Sequence, residues 1–258
     1  MTVAPDLAAE WIDRWDAQQE GYVPDREERF AVLVDIVEHA VREVAEPVVV
    51  DLGCGPGSLA ARIAERVPRA VIIGVDADPL LIALARGRYG DLARWEVADL
   101  AADDWTAALP GPVHAAVSTT ALHWMLPEQL AGLYRTLAAH TAPGGVLANG
   151  DHLAVAEGLA GPAAAVGAGR ALRSGVTGRE GWTDWWDALL DDPRLAGVTA
   201  GRRRSTSAVQ DAAGESEHHD GSNRLSAADH ARLLLAGGYS GAGVVWQHGE
   251  DTVVAGVR

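Results

Sequence analysis

The chain has 258 residues, a formal net charge of −15 and 48% hydrophobic residues, which suits one α/β domain with an insertion and a large core. The acidic balance disfavours nucleic acid as a partner, because phosphate binding depends on clustered Lys and Arg. The single cysteine excludes an internal disulfide. Since no apolar run has signal-peptide or membrane-spanning character, we expect a cytoplasmic protein without a membrane partner.

Two helices are predicted before the first strand. Apolar residues recur near a 3.6-residue period over 6–20, and a second amphipathic helix is predicted from about 25 to 44. Helices in this position usually pack on the sheet or close over its ligand edge. Tyr22 and Arg29 are therefore candidates to face a ligand, and an exposed helix surface carrying an ion pair is the alternative.

The stretch from Val48 to Ser58 predicts a strand, a turn and a helix that together bind a ligand. Three β-branched residues indicate a buried strand, and the Ala-rich apolar run after Ser58 indicates a helix. Glycine allows φ > 0 and lets a ligand lie against the backbone. The candidate ligand-binding residues of this stretch are Asp51, Gly53, Cys54, Gly55 and Gly57.

The spacing of these glycines distinguishes two kinds of nucleotide ligand. A dinucleotide site expects Gly-x-Gly-x-x-Gly or Gly-x-Gly-x-x-Ala, which would place the third small residue at Ser58. The chain instead reads Asp-x-Gly-x-Gly-x-Gly from Asp51 to Gly57. This pattern resembles the first motif of the class I S-adenosylmethionine (AdoMet)-dependent methyltransferases. The resemblance implies AdoMet as cofactor and makes Arg29 a candidate partner for its carboxylate.

A second buried strand is predicted over 70–76, and it ends in Asp76, which lies 19 residues beyond Gly57. One crossover helix would bring this carboxylate beside the glycine turn, where an acid can hold the two hydroxyls of a ribose. A strand-end cap is the alternative. Asp78 and Pro79 are suited to the N-cap and first position of the next helix.

A third strand, over 94–100, carries Asp99 near its end. The resemblance implies that Asp99 bonds the adenine amino group, while the neighbouring apolar side chains of Ala77 and Leu100 cover the ring. A loop aspartate that caps the following helix is the alternative.

The fourth strand is predicted over 112–118, beyond the switch in strand order where open α/β sheets bind ligands. The run Thr119-Thr120-Ala121-Leu122-His123-Trp124 follows it. A Leu-His-Trp run here resembles methyltransferases of the trans-aconitate, malonyl-carrier-protein and juvenile-hormone-acid types, which methylate carboxylates. The resemblance covers about 30–150 and the C-terminal strands, and it implies that Thr119 contacts the cofactor.

His123 is the candidate catalytic residue, with alternatives left open. It is either a general base for a hydroxyl or amine acceptor, or a neutral donor that orients the acceptor. A packed histidine with satisfied ring nitrogens is the structural alternative. Trp124 is predicted to form a wall of the pocket.

A crossover helix is predicted over 127–140, followed by a Pro-Gly-Gly turn at 142–145 and a fifth strand over 146–151. Asp151 and His152 then fall at the ligand edge. His152 is a candidate acceptor contact, and a capping role is the alternative.

Residues 153–225 interrupt the α/β alternation. A helix is predicted over about 155–174, and the tryptophans at 182, 185 and 186 share one helical face. That face is either a packing surface or an aromatic wall of the acceptor pocket, with Trp182 and Trp186 as candidate contacts. Arg202–Arg204 is either a solvated basic run or a site for an anionic acceptor. The adjacent histidines at 218 and 219 lack a metal-binding pattern, so no metal is predicted, and His218 is a candidate acceptor contact.

The C-terminal region predicts a helix and a hairpin. Ser226 and Asp229 form a capping-box-like start, and the helix ends at 237–238. Two strands, over 243–247 and 252–256, follow as a hairpin. This arrangement resembles the antiparallel strand insertion that separates methyltransferases from dinucleotide-binding domains.

These features predict a doubly wound α/β sheet, and the resemblance to class I AdoMet-dependent methyltransferases implies a Rossmann-like sheet of seven strands in the order 3-2-1-4-5-7-6, with the last strand antiparallel. The predicted segments are an N-terminal helical lid (1–46), an AdoMet-binding core (47–152), a helical acceptor-binding insertion (153–225) and a C-terminal completion of the sheet (226–258). The resemblance implies methyl transfer from AdoMet to a small-molecule acceptor. The favoured acceptor atom is a carboxylate or hydroxyl oxygen. The alternative acceptor atoms are nitrogen and carbon. The alternative enzyme class is a nicotinamide-dependent oxidoreductase. A monomer or homodimer is expected.

Overall fold

A seven-stranded sheet with the order β3-β2-β1-β4-β5-β7-β6 forms the centre of the molecule, as predicted. The computed structural model describes residues 3–101, 104–199 and 222–258. The strands are β1 (Val48–Leu52), β2 (Val71–Asp76), β3 (Arg94–Val97), β4 (Val113–Thr119), β5 (Thr141–His152), β6 (Gly241–His248) and β7 (Asp251–Val257).

Helices alternate with the first five strands and cover both faces of the sheet. They are α1 (Pro5–Gln19), α2 (Arg26–Val41), α3 (Ser58–Arg66), α4 (Pro79–Tyr89), α5 (Pro127–His140), α6 (Ala160–Ser174), α7 (Trp182–Asp191) and α8 (Ala227–Gly237). Within the described ranges, no helix combines the length and apolar character that a bilayer-spanning segment needs.

Local side-chain chemistry sets several helix starts. Asp78 caps α4 by accepting a hydrogen bond from the backbone N–H of Leu80 at 2.8 Å, and Pro79 occupies the first helical position. Ser226 and Asp229 form the predicted capping box of α8, because each side chain accepts from the other residue's backbone N–H.

Strand pairing places the functional ends of the strands at one edge. β1 is parallel to β2 and β4, and β5 is parallel to β4. β7 runs antiparallel to β5, so that Asp251 at its start pairs with His152 at the end of β5. The carboxyl ends of β1, β2, β4 and β5 therefore meet the amino end of β7.

Two apolar layers hold helices against the sheet. On one face, α2, α3 and α4 pack on alternate strand residues, and on the other face α5 and α8 pack on the intervening residues. The strand residues of the first layer include Val49, Ile72, Val117 and Ala148, and those of the second include Val50, Ile73, Ala116 and Leu147. This alternation is what a parallel sheet buried on both faces requires.

A third apolar cluster joins the N-terminal helix to the insertion. Trp11 and Trp15 of α1 pack with Trp185 and Trp186 of α7 and with the apolar face of α4. Trp185 is fully buried, and its ring centroid lies 4.8 Å from that of Trp15. Two segments far apart in the chain thus share one aromatic core beside the sheet.

Three element boundaries differ from the sequence prediction. β3 ends at Val97, so Asp99 follows the strand instead of ending it. β5 already begins at Thr141, because Thr141 pairs with Val113 of β4 ahead of a bulge in which Gly144 has φ of +77°, and regular pairing resumes at Val146. A short 3₁₀ turn over Glu157–Leu159 precedes α6, which begins about five residues later than predicted.

A buried ion pair lies behind the ligand edge of the sheet. Arg29 of α2 is fully buried, and its Nε lies 2.8 Å from Oδ1 of Asp251. Its Nη1 donates to the carbonyl oxygen of Gly150 at 2.8 Å and to Oγ1 of Thr120 at 3.0 Å. Arg170 of α6 donates to the other oxygen of Asp251 at 2.9 Å. This network joins α2, α6, β5 and β7.

Replacement of Arg29 by methionine should destabilise the protein by about 1.5–3 kcal/mol, because the buried Oδ1 of Asp251 loses its charged partner and only the bond from Arg170 to Oδ2 remains. Urea unfolding at neutral pH measures this change. Arg66→Met is the matched control, since Arg66 pairs with Asp35 and Glu38 on the surface and should contribute about 0–1 kcal/mol. Equal losses in the two variants would contradict the structural role of the buried pair.

Candidate active site

A cavity of about 430 Å³ opens at the carboxyl ends of β1, β2, β4 and β5. Its size lies within the usual range for small-molecule sites. Residues from α1, the glycine turn, the segments after β2 and β4, the end of β5 and α7 all contribute to its wall. Among the predicted site residues, it is lined by Tyr22, Gly53, Cys54, Gly55, Asp76, Thr119, His123, Trp124, His152, Trp182 and Trp186.

The floor of the cavity is the turn between β1 and α3. Gly53 has φ of +67° and Gly57 has φ of +90°, a region that side-chain-bearing residues rarely adopt. A Cβ at position 53 would overlap the Cβ of Ala121, and one at 57 would lie 2.5 Å from the ring of Trp95. Glycine is therefore required here for backbone geometry and for close packing.

Asp76 connects the glycine turn to the end of β2. Its Oδ2 accepts a hydrogen bond from the N–H of Gly55, and its Oδ1 accepts from that of Asp78, both at 2.8 Å. The side chain lines the cavity, and its burial raises the pKa of Asp76 to about 6. Above that pH the carboxylate is ionised and faces the cavity.

Asp51 lies beneath the turn and does not line the cavity. Its side chain is fully buried, and desolvation raises the pKa of Asp51 to about 7. The backbone N–H of Ala60, in the first turn of α3, opposes this increase only in part. Asp51 therefore belongs to the protein interior beneath the bend and not to the cavity wall.

Several other predicted cofactor residues also lie outside the cavity lining. Arg29 is enclosed in its ion-pair network, and Gly57 faces Trp95. Asp99 is exposed, and its Oδ1 accepts a hydrogen bond from the N–H of Ala101 at 2.8 Å. Ala77 is exposed, and Leu100 packs against the second apolar layer. The roles assigned to these residues stay predictions.

A histidine–aspartate pair lies at the opposite side of the cavity. Nδ1 of His123 is 2.9 Å from Oδ1 and 3.1 Å from Oδ2 of Asp151. Burial by itself would raise the pKa of Asp151, but the hydrogen bond and charge of His123, with the charge of Arg29, outweigh it and hold this pKa below its ordinary value. Asp151 is therefore ionised and orients the imidazole.

Sequence reasoning placed Asp151 at the ligand edge but missed its pairing with His123. The signal was available, because β4 and β5 were predicted as neighbours and their ends should therefore meet. Trp15 and Arg26 are among the other lining residues that were missed as site residues, whereas Thr120 belongs to the run predicted to face the ligand. Trp15 was counted only as part of an apolar helix face, and its position over the turn depends on tertiary packing.

An aromatic wall closes the cavity from above. It consists of Trp15, Tyr22, Trp124, Trp182 and Trp186. The ring centroids of Trp15 and Trp182 are 5.3 Å apart, and the hydroxyl of Tyr22 accepts from the N–H of Trp182 at 2.9 Å. The three tryptophans of α7 thus have two different environments: Trp185 packs in the core, whereas Trp182 and Trp186 line the cavity.

Two sequence predictions remain: the roles of His218 and the basic run, and the question of a metal site. His218 and the basic run at 202–204 lie outside the described residues. In the described part of the chain, no three His, Cys, Asp or Glu side chains are grouped in a way that could hold a metal ion.

Comparison with known proteins identifies the core of the chain. Residues 49–145 match a family described as a methyltransferase domain. A trans-aconitate 2-methyltransferase of Azoarcus sp. (strain BH72) is 37% identical over 134 residues, which is 52% of this chain and 49% of that protein. One from Methylobacterium radiotolerans is 36% identical over 149 residues, covering 57% and 49%. The chain spans about half the length of these curated relatives.

A solved structure shares the whole fold. Magnesium protoporphyrin IX methyltransferase from Synechocystis PCC 6803, determined with bound SAH, is similar with a TM-score of 0.54 and 15% identity, over 96% of this chain and 94% of that one. At this identity the similarity concerns the fold. The predicted resemblance to class I AdoMet-dependent methyltransferases and the predicted sheet are therefore confirmed.

The variant Gly53→Ala should lower the melting temperature and weaken any ligand bound on the turn. The added methyl group overlaps Ala121, and the left-handed backbone costs about 1–2 kcal/mol for a residue with a Cβ. Gly111→Ala is the matched control, because a Cβ there meets nothing within 4 Å. Thermal unfolding compares them, and an unchanged midpoint for Gly53→Ala would refute the constraint.

Asp51 should make folding stability depend on pH. The carboxyl group is protonated more readily in the folded state (pKa about 7) than in the unfolded chain (3.8), so the folded state binds more protons between these values. Its contribution to stability is therefore lost as pH rises from about 4 to about 7. Asp51→Asn should become progressively more stable than wild type across this interval and keep a constant advantage above it.

Urea midpoints at about pH 5 and about pH 8 measure this difference. Asp91→Asn serves as control, because Asp91 is exposed. A wild-type-to-Asp51→Asn difference that is equal at both pH values would show that burial of Asp51 does not perturb its titration.

Proposed function

We propose that the protein binds AdoMet in this cavity and transfers its methyl group to an oxygen of a small-molecule acceptor, either a carboxylate or a hydroxyl. The observation that carries the proposal is the meeting of the Gly53–Gly57 turn, Asp76 and the His123–Asp151 pair in one cavity. They meet at the edge of a sheet with the methyltransferase strand order. The relatives named for trans-aconitate support a small carboxylic acid as one acceptor class.

The residues of the cavity fit a nucleoside cofactor. Gly55 lines the cavity with φ of +53°, and a Cβ there would meet the ring of Trp15 at 3.8 Å, so the backbone and the indole face each other across the turn. A carboxylate has about four acceptor positions, and Asp76 uses two of them for backbone N–H groups. Two remain for the two hydroxyls of a ribose.

The protein's main contribution to the reaction would be placement. AdoMet supplies a positively charged sulfonium whose methyl group is already activated for displacement. The turn and Asp76 hold one reactant, while the aromatic wall and the His123–Asp151 pair position the acceptor and exclude water. The acceptor side is formed by His123, Trp124 and His152, with Tyr22 and Trp182 above it.

The predicted lid, formed by 1–46 and 153–225, has a physical basis in the contact between α1 and α7. Trp15 and Trp182 come from these two segments and meet over the cavity. We propose that this pair controls access of the acceptor. The cytoplasmic location, the monomeric or homodimeric state and the absence of a nucleic-acid partner stay predictions.

Asp76→Ala should weaken AdoMet binding about 10- to 100-fold, because hydrogen bonds to a charged group contribute about 1.5–3 kcal/mol. Isothermal calorimetry with AdoMet and with its demethylated product measures the loss. For wild type, affinity should rise with pH through about 6, because only ionised Asp76 can accept from both hydroxyls. Asp91→Ala is the control on the surface, and unchanged affinity in Asp76→Ala would refute the ribose assignment.

A further inference from the structure

The orientation of the His123 ring is determined by its partner. Asp151 has an almost fully buried side chain, and one of its oxygens also accepts from the backbone N–H of His152 at 3.0 Å. An ionised carboxylate only accepts hydrogen bonds, so the neutral ring carries its proton on Nδ1 and has a lone pair on Nε2. Among the described residues, none forms a hydrogen bond with Nε2.

The main chain around His123 is held from a second direction. The N–H of Asn223 donates to the carbonyl oxygen of His123 at 2.9 Å. The side-chain amide of Asn223 donates to the carbonyl oxygens of Leu122 and Met125 at 3.2 and 3.1 Å. The ring of His123 also lies 4.8 Å from that of Trp124. These contacts hold the imidazole at the cavity wall.

Charges from several elements act on this pair. The charges of Arg29 in α2 and His152 in β5 lower the pKa of Asp151 and so favour its ionised form. The negative charge of Asp151 in turn acts to raise the pKa of Tyr134 in α5 and that of His230 in α8. Behind Arg29 lies Asp251, which neutralises the guanidinium. Asp151 therefore stays ionised, and its carboxylate pairs with the imidazole of His123.

The part of the cavity wall that the structure describes has little positive charge with which to bind an anionic acceptor. Its only arginine is Arg26, whose Nη1 lies 2.6 Å from Asp16 and whose guanidinium lies 4.4 Å above the ring of Phe30. The carboxylates of Asp76, Asp78 and Asp151 line the same cavity. In contrast, five aromatic side chains offer apolar and edge contacts that suit an aromatic ring.

We propose that the acceptor is an aromatic hydroxyl, deprotonated by Nε2 of His123 as general base with Asp151 as the positioning residue. The inference rests on the proposed function and narrows its acceptor. The hydroxyl proton passes to Nε2 as the oxygen bonds to the methyl carbon, the carbon–sulfur bond breaks and its electron pair stays on sulfur. The imidazolium, stabilised by Asp151, then releases its proton to solvent. A carboxylate, already ionised at neutral pH, would need no such base.

One probe separates the two acceptor classes within a single molecule. 4-Hydroxybenzoate gives 4-methoxybenzoate if the hydroxyl is methylated and methyl 4-hydroxybenzoate if the carboxylate is methylated. With methyl-labelled AdoMet, uncharged catechol should be methylated well, 4-hydroxybenzoate should be methylated more slowly and to the ether because the wall disfavours its carboxylate, and trans-aconitate should not be methylated. Ester or trans-aconitate methylation as the main product would overturn the inference and leave the proposed function standing.

His123→Ala and Asp151→Asn should each lower kcat for ether formation about 10²- to 10⁴-fold while AdoMet affinity stays unchanged. The KM for the acceptor should change much less than kcat in both variants. A purely structural role would instead lower AdoMet affinity and the melting temperature together with kcat. His39→Ala, on the exposed side of α2, is the matched control.

A readout without any acceptor tests the same assignment. The ¹⁵N resonances of the His123 imidazole, identified by their loss in His123→Ala, should show the neutral ring protonated on Nδ1. They should show a mixed or reversed tautomer in Asp151→Asn. A wild-type ring protonated on Nε2 would overturn the proposal even if no probe were methylated, whereas failure to bind AdoMet would overturn the proposed function itself.

Discussion

The ion pair between Arg29 and Asp251 is the interaction on which the geometry of the site depends. It lies wholly inside the protein and joins the start of β7 to α2, while the same guanidinium bonds the ends of β4 and β5. Because a buried charge without its partner is costly, the strand ends are held in one arrangement. The arginine thus stands behind the site and fixes the segments that carry Thr120 and Asp151.

The two sides of the cavity in front of this ion pair have different chemistry. The side under β1 and β2 is built from backbone and one carboxylate, because a ligand must lie against the chain there. The side at β4 and β5 is built from a histidine, its aspartate and a tryptophan. The first arrangement suits a nucleoside, and the second suits a group that loses a proton. The proposed methyl transfer requires both at once.

The aromatic wall adds a dependence on distant parts of the chain. Trp15 belongs to the N-terminal helix, whereas Trp182 and Trp186 belong to the insertion, and their partner Trp185 fills the core between them. The shape of the cavity therefore depends on the packing of α7 against α1 and α4. Because Trp15 also lies over the glycine turn, a change in this apolar cluster would alter both sides of the cavity.

The sequence by itself determined most strands and helices, the glycine turn and the acid that ends β2, each from a local pattern: β-branched runs, glycine spacing and an acid at a strand end. The strand order, and with it the meeting of Asp76 and His123 at one edge, was implied by the resemblance of these motifs to those of class I AdoMet-dependent methyltransferases. The sequence did not reveal that Arg29 is enclosed by Asp251, that Asp151 pairs with His123, or that Trp15 lies over the turn. Those relations join residues 28 to 222 positions apart, and only the packing of helices and the antiparallel return of β7 bring them together. Local patterns specify elements, whereas side-chain contacts between elements are decided by how the whole core closes.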